Sequence, residues 1–323
     1  MDIKILFDTN IIIYLFIQSL VLVATLFAIR GSLQIYKFWN YEATTPFQYM
    51  LENRSYLVMV VIIFLSILKI ILFPFFAYSV DNLSAIIPGA MCAAGVVEEF
   101  EWSNYLLALK LAVIFIAGAW LLINSYDLKA KTYPYMKFKS VLFLVLGALV
   151  VAEFVLETVY FSSLSTQVPV SCCSDIFGVA ASGGTIPFGL DVQWLLILFY
   201  SCFVLTLLSA MNKSASLSFF VNIFFLFIAY YAVVHFFGTY IYQQPTHKCP
   251  YCMLQREYFY VGYFLWGSLF VGVFSGVSSL FIQSATKINP NKSYIFTIIF
   301  NTIFTLLCTY FVVSYYIING VFL

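Results

Sequence analysis

The chain has 323 residues, of which 63% are hydrophobic, 20% aromatic and only 9% charged, and its formal net charge is +1. This composition is too apolar for a soluble globular protein and is typical of a helical membrane protein. The small net charge, without a basic stripe in the sequence, argues against a nucleic-acid partner.

Eight apolar runs of about 20 residues follow one another along the chain, and each is long enough to cross a lipid bilayer as a helix. Their hydrophobicity is continuous, without the two-residue alternation of membrane barrel strands, so we predict an all-α, polytopic membrane bundle. We expect the first run to be a retained span, because Arg30 and Gly31 follow it instead of a cleavage site. The predicted spans are residues 10–29, 56–78, 105–123, 141–160, 192–211, 218–240, 257–282 and 294–318.

The basic residues are concentrated in alternate connections between these spans, which predicts that those connections face the cytoplasm. Both termini and all loop cysteines are then expected on the outer face of the membrane, where disulfides form and persist. The basic connections contain Arg30, Lys37, Arg54, Lys129, Lys131, Lys137, Lys139, Lys213, Lys287 and Lys292.

A pair of cysteines separated by two residues, Cys249 and Cys252, immediately precedes the seventh predicted span. Such a pair can close a small disulfide ring, and on the first turn of a helix the N-terminus stabilises the reactive thiolate. The motif therefore predicts a redox-active dithiol. A structural disulfide and half of a zinc site are the alternatives.

The segment 249–256, CPYCMLQR, resembles the CxxC-x-x-(Gln/Glu)-Arg signature of the bacterial disulfide-bond-forming membrane oxidoreductases, which pass thiol electrons to quinone. The order of spans and cysteine loops over residues 141–282 is also similar to that of the vitamin K epoxide reductase family. The resemblance implies a four-helix thiol-redox core at 141–285, after a three-helix region at 1–140 and before a C-terminal helix at 286–323, in one integrated membrane domain.

The resemblance also implies a role for each residue of the motif. Cys252 is the thiol nearest the quinone, Cys249 exchanges with loop thiols, and Gln255 and Arg256 lie on the quinone side. If the segment is helical, Arg256 lies one turn from Cys252 and stabilises negative charge there; an arginine anchored at lipid headgroups is the alternative. The implied cofactor is ubiquinone or menaquinone, and the implied partner is a periplasmic thioredoxin-like protein. The implied location is the bacterial cytoplasmic membrane, with the cysteine loops on its outer face.

The loop cysteines depart from the family pattern, because Cys172 and Cys173 are adjacent. Neighbouring Cα atoms are about 3.8 Å apart, whereas ordinary disulfides begin at a separation of about 4.4 Å. We therefore favour Cys92 as the disulfide partner of one loop cysteine, which leaves the other to attack Cys249. Packing of Cys92 beneath the loop is an equal alternative.

His247 lies two residues before the motif, where an imidazole can lower a thiol pKa or accept its proton, and we expect it, with Gln255 and Arg256, to be among the cofactor-binding residues. A solvated loop histidine is the alternative. Tyr258 and Trp266 are among the nearby aromatic residues that can wall a quinone pocket or form an interfacial belt.

Charged residues inside the predicted spans are costly in lipid, and they usually face the interior of a bundle. Lys69 and Glu153 lie at equal depth, and Lys110 and Glu157 both lie near the outer boundary. We predict structural ion pairs between them, with a proton relay as the alternative.

Small residues in the spans have simpler predicted roles. Gly272 and Gly276 have the spacing that allows helices to approach closely. Cys202 and Cys308 lie within spans and are expected to pack as small apolar residues.

The leading functional hypothesis is an enzyme, a membrane thiol oxidoreductase that couples dithiol oxidation outside the cytoplasm to quinone reduction. One alternative is a structural or electron-transfer subunit of a larger membrane complex, in which disulfides only staple the outer loops. The other is a protein that binds or transports copper, zinc or mercury through its cysteines.

Overall fold

The computed structural model describes residues 5, 7–90, 92–98, 100, 102–130, 133–166 and 189–323, and within these ranges it contains helices and no strand. Eight of the helices are long and apolar enough to cross a membrane, so the prediction of a multi-pass helical membrane protein is confirmed. They are α1 (Thr9–Phe38), α2 (Pro46–Leu83), α4 (Ser103–Asp127), α5 (Met136–Ser163), α6 (Val192–Met211), α7 (Ala215–Tyr242), α8 (Val261–Thr286) and α9 (Asn291–Asn319), with a short helix α3 (Ala93–Glu98) between α2 and α4.

Each predicted span lies within one of these helices, apart from the first four residues of the seventh, because α8 begins only at Val261. The starts of α1 and α2 have recognisable caps. Asp8 accepts hydrogen bonds from the backbone of Asn10 and Ile11, and Thr45 precedes a proline in the first turn of α2.

The chain divides into two compact units, Met1–Val170 and Ser171–Leu323. In the first unit α1 and α4 each pack against both α2 and α5; in the second, α6 and α8 each pack against both α7 and α9. Each unit is therefore a four-helix bundle. This division differs from the boundaries predicted at 140 and 285, because α5 packs with α1 and α4, and α9 packs with α6 and α8.

Amide side chains join three helices in the core of the second unit. Asn301 Nδ2 donates to Asn222 Oδ1 at 3.0 Å, and Asn222 Nδ2 donates to the Ser218 carbonyl at 2.8 Å. Both asparagines pack on glycines of α8. A Cβ atom at Gly272 would overlap Asn301 Oδ1 and lie 2.9 Å from the Asn301 backbone nitrogen. The close approach predicted for Gly272 and Gly276 is confirmed.

Replacing Gly272 by alanine is expected to destabilise the second unit by about 1–3 kcal/mol, because the added methyl group has to displace the α9 backbone. Thermal unfolding of the purified protein in detergent measures this change. Gly267→Ala is the matched control on the same helix, since no described atom lies within 4 Å of its added Cβ and alanine is the better helix former. Equal losses of stability in the two variants would contradict the packing argument.

Buried charges join the helices of the first unit. Lys69 Nζ lies 2.7 Å from Glu153 Oε2, and Lys110 pairs with both Glu153 and Glu157. The two predicted pairs are therefore confirmed, and Lys110 adds a third. All four side chains are almost completely inaccessible, as expected for charges that lie inside a membrane bundle.

A further ion pair was missed because Lys139 was assigned to a basic connection. It is buried near the start of α5, with its Nζ 2.5 Å from Asp127 Oδ2 and 2.8 Å from Asn124 Oδ1. Both partners belong to the last turn of α4, so the pair joins the ends of two consecutive helices.

Neutralising one member of the Lys69–Glu153 pair is expected to lower the yield of folded protein, because the remaining charge costs about 3–5 kcal/mol when buried alone. The double variant Lys69→Met/Glu153→Gln is expected to recover much of this yield, since Lys110 and Glu157 still balance each other. The measurement is the monodisperse fraction in detergent, with the exposed Lys37→Met as control. A double variant as poor as the worse single one would contradict the pairing.

Candidate functional site

The two cysteines of the CxxC motif lie in the connection between α7 and α8 of the second unit. Cys249 is 1% exposed and Cys252 is 9% exposed. Their Sγ atoms lie within 4.8 Å of each other, so the two thiols form one local site that is shielded from solvent.

The backbone around the motif is not the first turn of a helix. A 3₁₀ turn covers Cys252–Leu254 and a second covers Arg256–Tyr258, with Gln255 extended between them. Phe259 and Tyr260 then adopt left-handed conformations before α8 begins. The predicted helix across the motif is therefore wrong, and with it the helical spacing between Cys252 and Arg256 and the stabilisation of a thiolate by a helix N-terminus.

Tyr242, at the end of α7, holds the motif in place. Its hydroxyl donates to the Cys249 carbonyl and accepts a hydrogen bond from the Met253 backbone N–H at 3.1 Å. From α8, Trp266 Nε1 donates to the Pro250 carbonyl at 3.3 Å. The motif also approaches α8 closely, because a Cβ at Gly262 would lie 2.9 Å from the Met253 carbonyl oxygen.

Two polar groups beside the thiols bear on their chemistry. The Tyr251 N–H donates to Cys249 Sγ at 3.4 Å, a contact that favours negative charge on that sulfur. The ring of His247 lies 4.2 Å from that of Tyr242, and burial lowers the pKa of His247. The imidazole is therefore neutral near pH 7, which suits a proton acceptor and not a positive charge that stabilises a thiolate.

His247 is half-buried, unlike a fully solvated loop histidine, and proton acceptance by its imidazole stays a prediction. The Nε2 atom of His247 is buried and has no hydrogen-bond partner among the described residues.

Tyr258 lies on the other side of the motif in sequence. Burial and the nearby Cys252 thiol raise the pKa of Tyr258, so its phenol remains protonated at neutral pH.

A cavity of about 440 Å³ lies beside the motif, within the second unit. Tyr242 and Tyr258 belong to both the cavity wall and the surroundings of the cysteines. The rest of the wall comes from the end of α7, the turn before α8 and the last part of α9. Its aromatic residues are Tyr240, Tyr242, Tyr258, Phe259, Tyr310, Phe311 and Tyr315, and its polar residues include Gln243, Glu257, Ser314 and Asn319.

Among the described residues, the cavity wall does not include the three residues predicted to bind the cofactor, which are Gln255, Arg256 and His247. Arg256 is exposed, and the wall instead contains its two successors, Glu257 and Tyr258. Sequence reasoning missed the contribution of α9 because the resemblance ends before that helix. The tyrosines near its C-terminal end were the only available signal.

The other cysteines singled out in the sequence analysis are distant from the CxxC motif along the chain. Cys92 is buried in the first unit, just before α3, where Asp81 Oδ1 accepts a hydrogen bond from the Ala93 N–H at 3.1 Å. Cys172 and Cys173 lie outside the described residues, so the pairing of either with Cys92 stays a prediction. Cys202 and Cys308 are buried within α6 and α9, as expected for packing residues.

No protein-family model matches this chain, and neither a curated protein nor a solved structure matches it. The resemblance to the disulfide-forming oxidoreductases and the vitamin K epoxide reductase family therefore rests on segment 249–256 and on the order of the elements. What the fold itself defines is a multi-pass membrane protein with a buried CxxC site beside an aromatic cavity.

Removing the Tyr242 hydroxyl is expected to loosen the motif, because the Cys249 carbonyl and the Met253 N–H both lose their partner. At about 1–3 kcal/mol for an unsatisfied buried group, Tyr242→Phe should speed alkylation of the reduced cysteines about fivefold or more. Tyr263→Phe, a change at an exposed tyrosine of α8, is the control. Unchanged rates in Tyr242→Phe would show that its hydroxyl does not hold the motif.

Proposed function

We propose that this protein is a membrane thiol oxidoreductase, which couples oxidation of dithiols outside the cytoplasm to reduction of a membrane quinone. The observation that carries the proposal is that Tyr242 belongs both to the CxxC site and to the wall of the cavity. This one side chain is hydrogen-bonded to the backbone of the CxxC motif and also lines the cavity. A dithiol and a binding pocket are therefore adjacent within one unit.

The cavity has the chemistry that a quinone requires. Its volume of about 440 Å³ is within the range of about 300–1,000 Å³ that is usual for small-molecule sites. Aromatic rings can stack on a flat quinone ring, and the hydroxyls of Tyr240, Tyr310 and Ser314 and the amide of Asn319 are donors suited to quinone carbonyls.

The reaction balances with the groups available. When the Cys249–Cys252 dithiol closes to a disulfide it releases two electrons and two protons, and a bound quinone supplies the acceptor for both. In this scheme the neutral imidazole of His247, two residues before Cys249, accepts one of the thiol protons and passes it on to the reduced quinone. The disulfide is then reduced again by thiol exchange with an outside dithiol, such as one in a thioredoxin-like protein, directly or through Cys172 and Cys173.

The decisive experiment is thiol trapping in native membranes. Mass-tagged alkylation counts the free thiols of Cys249 and Cys252 after reduction, with and without added oxidised quinone. We expect quinone-dependent loss of both thiols in the wild type and in the control Cys308→Ser, and none in Cys252→Ser. Thiols that do not respond to quinone would reject the proposal; stoichiometric bound metal would then indicate the metal-binding alternative, and a permanently oxidised pair a structural role.

A variant that fills the cavity tests the binding pocket separately from the thiols. Ser314→Trp is expected to abolish oxidation by quinone while leaving oxidation by the small oxidant diamide unchanged, because only the first requires the cavity. Val313→Trp, at a neighbouring exposed position of α9, is the matched control. Normal quinone-dependent oxidation in Ser314→Trp would place the quinone elsewhere.

A further inference from the structure

The core of the first unit contains a ring of hydrogen bonds and ion pairs to which all four long helices contribute. Every member is buried, and the motif chemistry of the second unit uses none of them. The members are Tyr14 and Gln18 from α1, Lys69 from α2, Lys110 from α4, and Glu153 and Glu157 from α5.

The hydrogen bonds run continuously along one side of this ring. Lys69 Nζ donates to Gln18 Oε1 at 3.2 Å, and Gln18 Nε2 donates to the Tyr14 hydroxyl at 2.6 Å. That hydroxyl lies 2.5 Å from Glu157 Oε1. Tyr14 can therefore donate to an ionised Glu157, and the same contact leaves the second carboxylate oxygen of Glu157 unengaged.

The two glutamates are held unequally. Glu153 has one lysine at each oxygen, Lys69 at 2.7 Å and Lys110 at 3.1 Å. Glu157 shares Lys110 with Glu153, and its contacts with Lys110, Tyr14 and Gln18 are all made by Oε1. Among the described residues the Oε2 atoms of both glutamates are buried without a hydrogen bond, but Glu153 Oε2 has Lys69 Nζ at 2.7 Å, whereas the lysine of Glu157 lies against Oε1.

An unpartnered anionic oxygen in such a place is costly, and a neutral hydroxyl there costs much less. Protonation turns Oε2 into such a hydroxyl and removes the uncompensated negative charge from that oxygen.

Protonation of Glu157 would leave one excess positive charge in the ring, and the surroundings of Lys110 can accommodate it. Lys110 Nζ lies 4.0 Å from the centroid of the Phe76 ring and 5.5 Å from that of Tyr14. Both rings present cation–π contacts, which are strongest in desolvated positions. Glu153 remains between the two lysines as their counter-ion.

From these contacts we propose that Glu157 is a proton-binding site within the membrane-spanning part of the first unit. The ligand is a proton, carried on Glu157 Oε2 while Oε1 keeps its contacts with Tyr14 and Lys110. The charged and titratable groups that face it are Tyr14 from α1, Lys69 from α2, Lys110 from α4 and Glu153 from its own helix. This site stands independently of the thiol chemistry proposed for the second unit.

Infrared difference spectroscopy of the full chain in lipid vesicles tests the proposal, because a protonated carboxyl has a carbonyl band distinct from that of a carboxylate. Glutamate labelled with ¹³C at the side-chain carboxyl assigns the band to this residue type. We expect a labelled acid band that titrates with pH, shifts in heavy water and is lost in Glu157→Gln.

Two variants should shift the pH at which the acid band appears in opposite directions. A cluster with a purely structural role would not show these shifts. Tyr14→Phe removes the donor to the anion, so the band should appear at higher pH than in the wild type. Glu153→Gln removes the neighbouring negative charge, so it should appear only at lower pH. Cys252→Ser should leave the band unchanged, which separates this result from any failure of the thiol proposal.

The absence of a labelled acid band in the folded wild type would overturn the proposal, even if the variants do not fold. So would a band that persists unchanged in Glu157→Gln, because the proton would then reside on another glutamate.

Discussion

Polar side chains inside a lipid-embedded bundle have to be satisfied by the protein, because hydrocarbon offers them neither hydrogen bonds nor charge compensation. The two units meet this constraint differently. The first uses ion pairs, in which Lys69 and Lys110 meet the glutamates of α5. The second uses neutral amides, in which Asn222 and Asn301 bond to each other over glycines of α8. In both units these polar contacts specify which helices are neighbours. Apolar packing specifies neighbours only weakly in a membrane, because lipid tails are as apolar as the helix surfaces.

The site in the second unit depends on irregular backbone at the end of a bundle. Two 3₁₀ turns separated by the extended Gln255 replace the helix that the sequence favours. Such backbone leaves groups that need partners, and the Tyr242 hydroxyl satisfies two of them at once. The cost of this local departure from helix is thus offset by a contact that also joins the cysteines to the cavity wall. A dithiol held this way is positioned by its backbone and not by a helix dipole.

The charge cluster of the first unit shows how a structural feature and a chemical one can coincide. Glu153 has the environment of a permanent counter-ion, with a lysine at each oxygen. Glu157, one helical turn further along α5, shares its lysine, and its Oε2 atom has no hydrogen-bond partner in the part of the chain that the structure describes. The two glutamates and their partners together join the four long helices of this unit. Only Glu157 has one carboxylate oxygen in contact with a lysine and the other not, and the proposed proton binding depends on this difference.

The sequence by itself determined the eight helices and the depth of the charges, because hydropathy and position within a run are local properties that need no knowledge of neighbours. The pairing of Lys69 with Glu153 followed from depth alone. The local conformation at Cys252–Tyr258 did not follow, since contacts with α7 and α8 override the helical tendency of that segment. Only the tertiary structure decided that Tyr242 and the tyrosines of α9 line one cavity, that α5 belongs with the first three long helices, and that Lys110 is shared between two glutamates. Each of these depends on which helices are adjacent, and one amphipathic or apolar run carries no information about its neighbours.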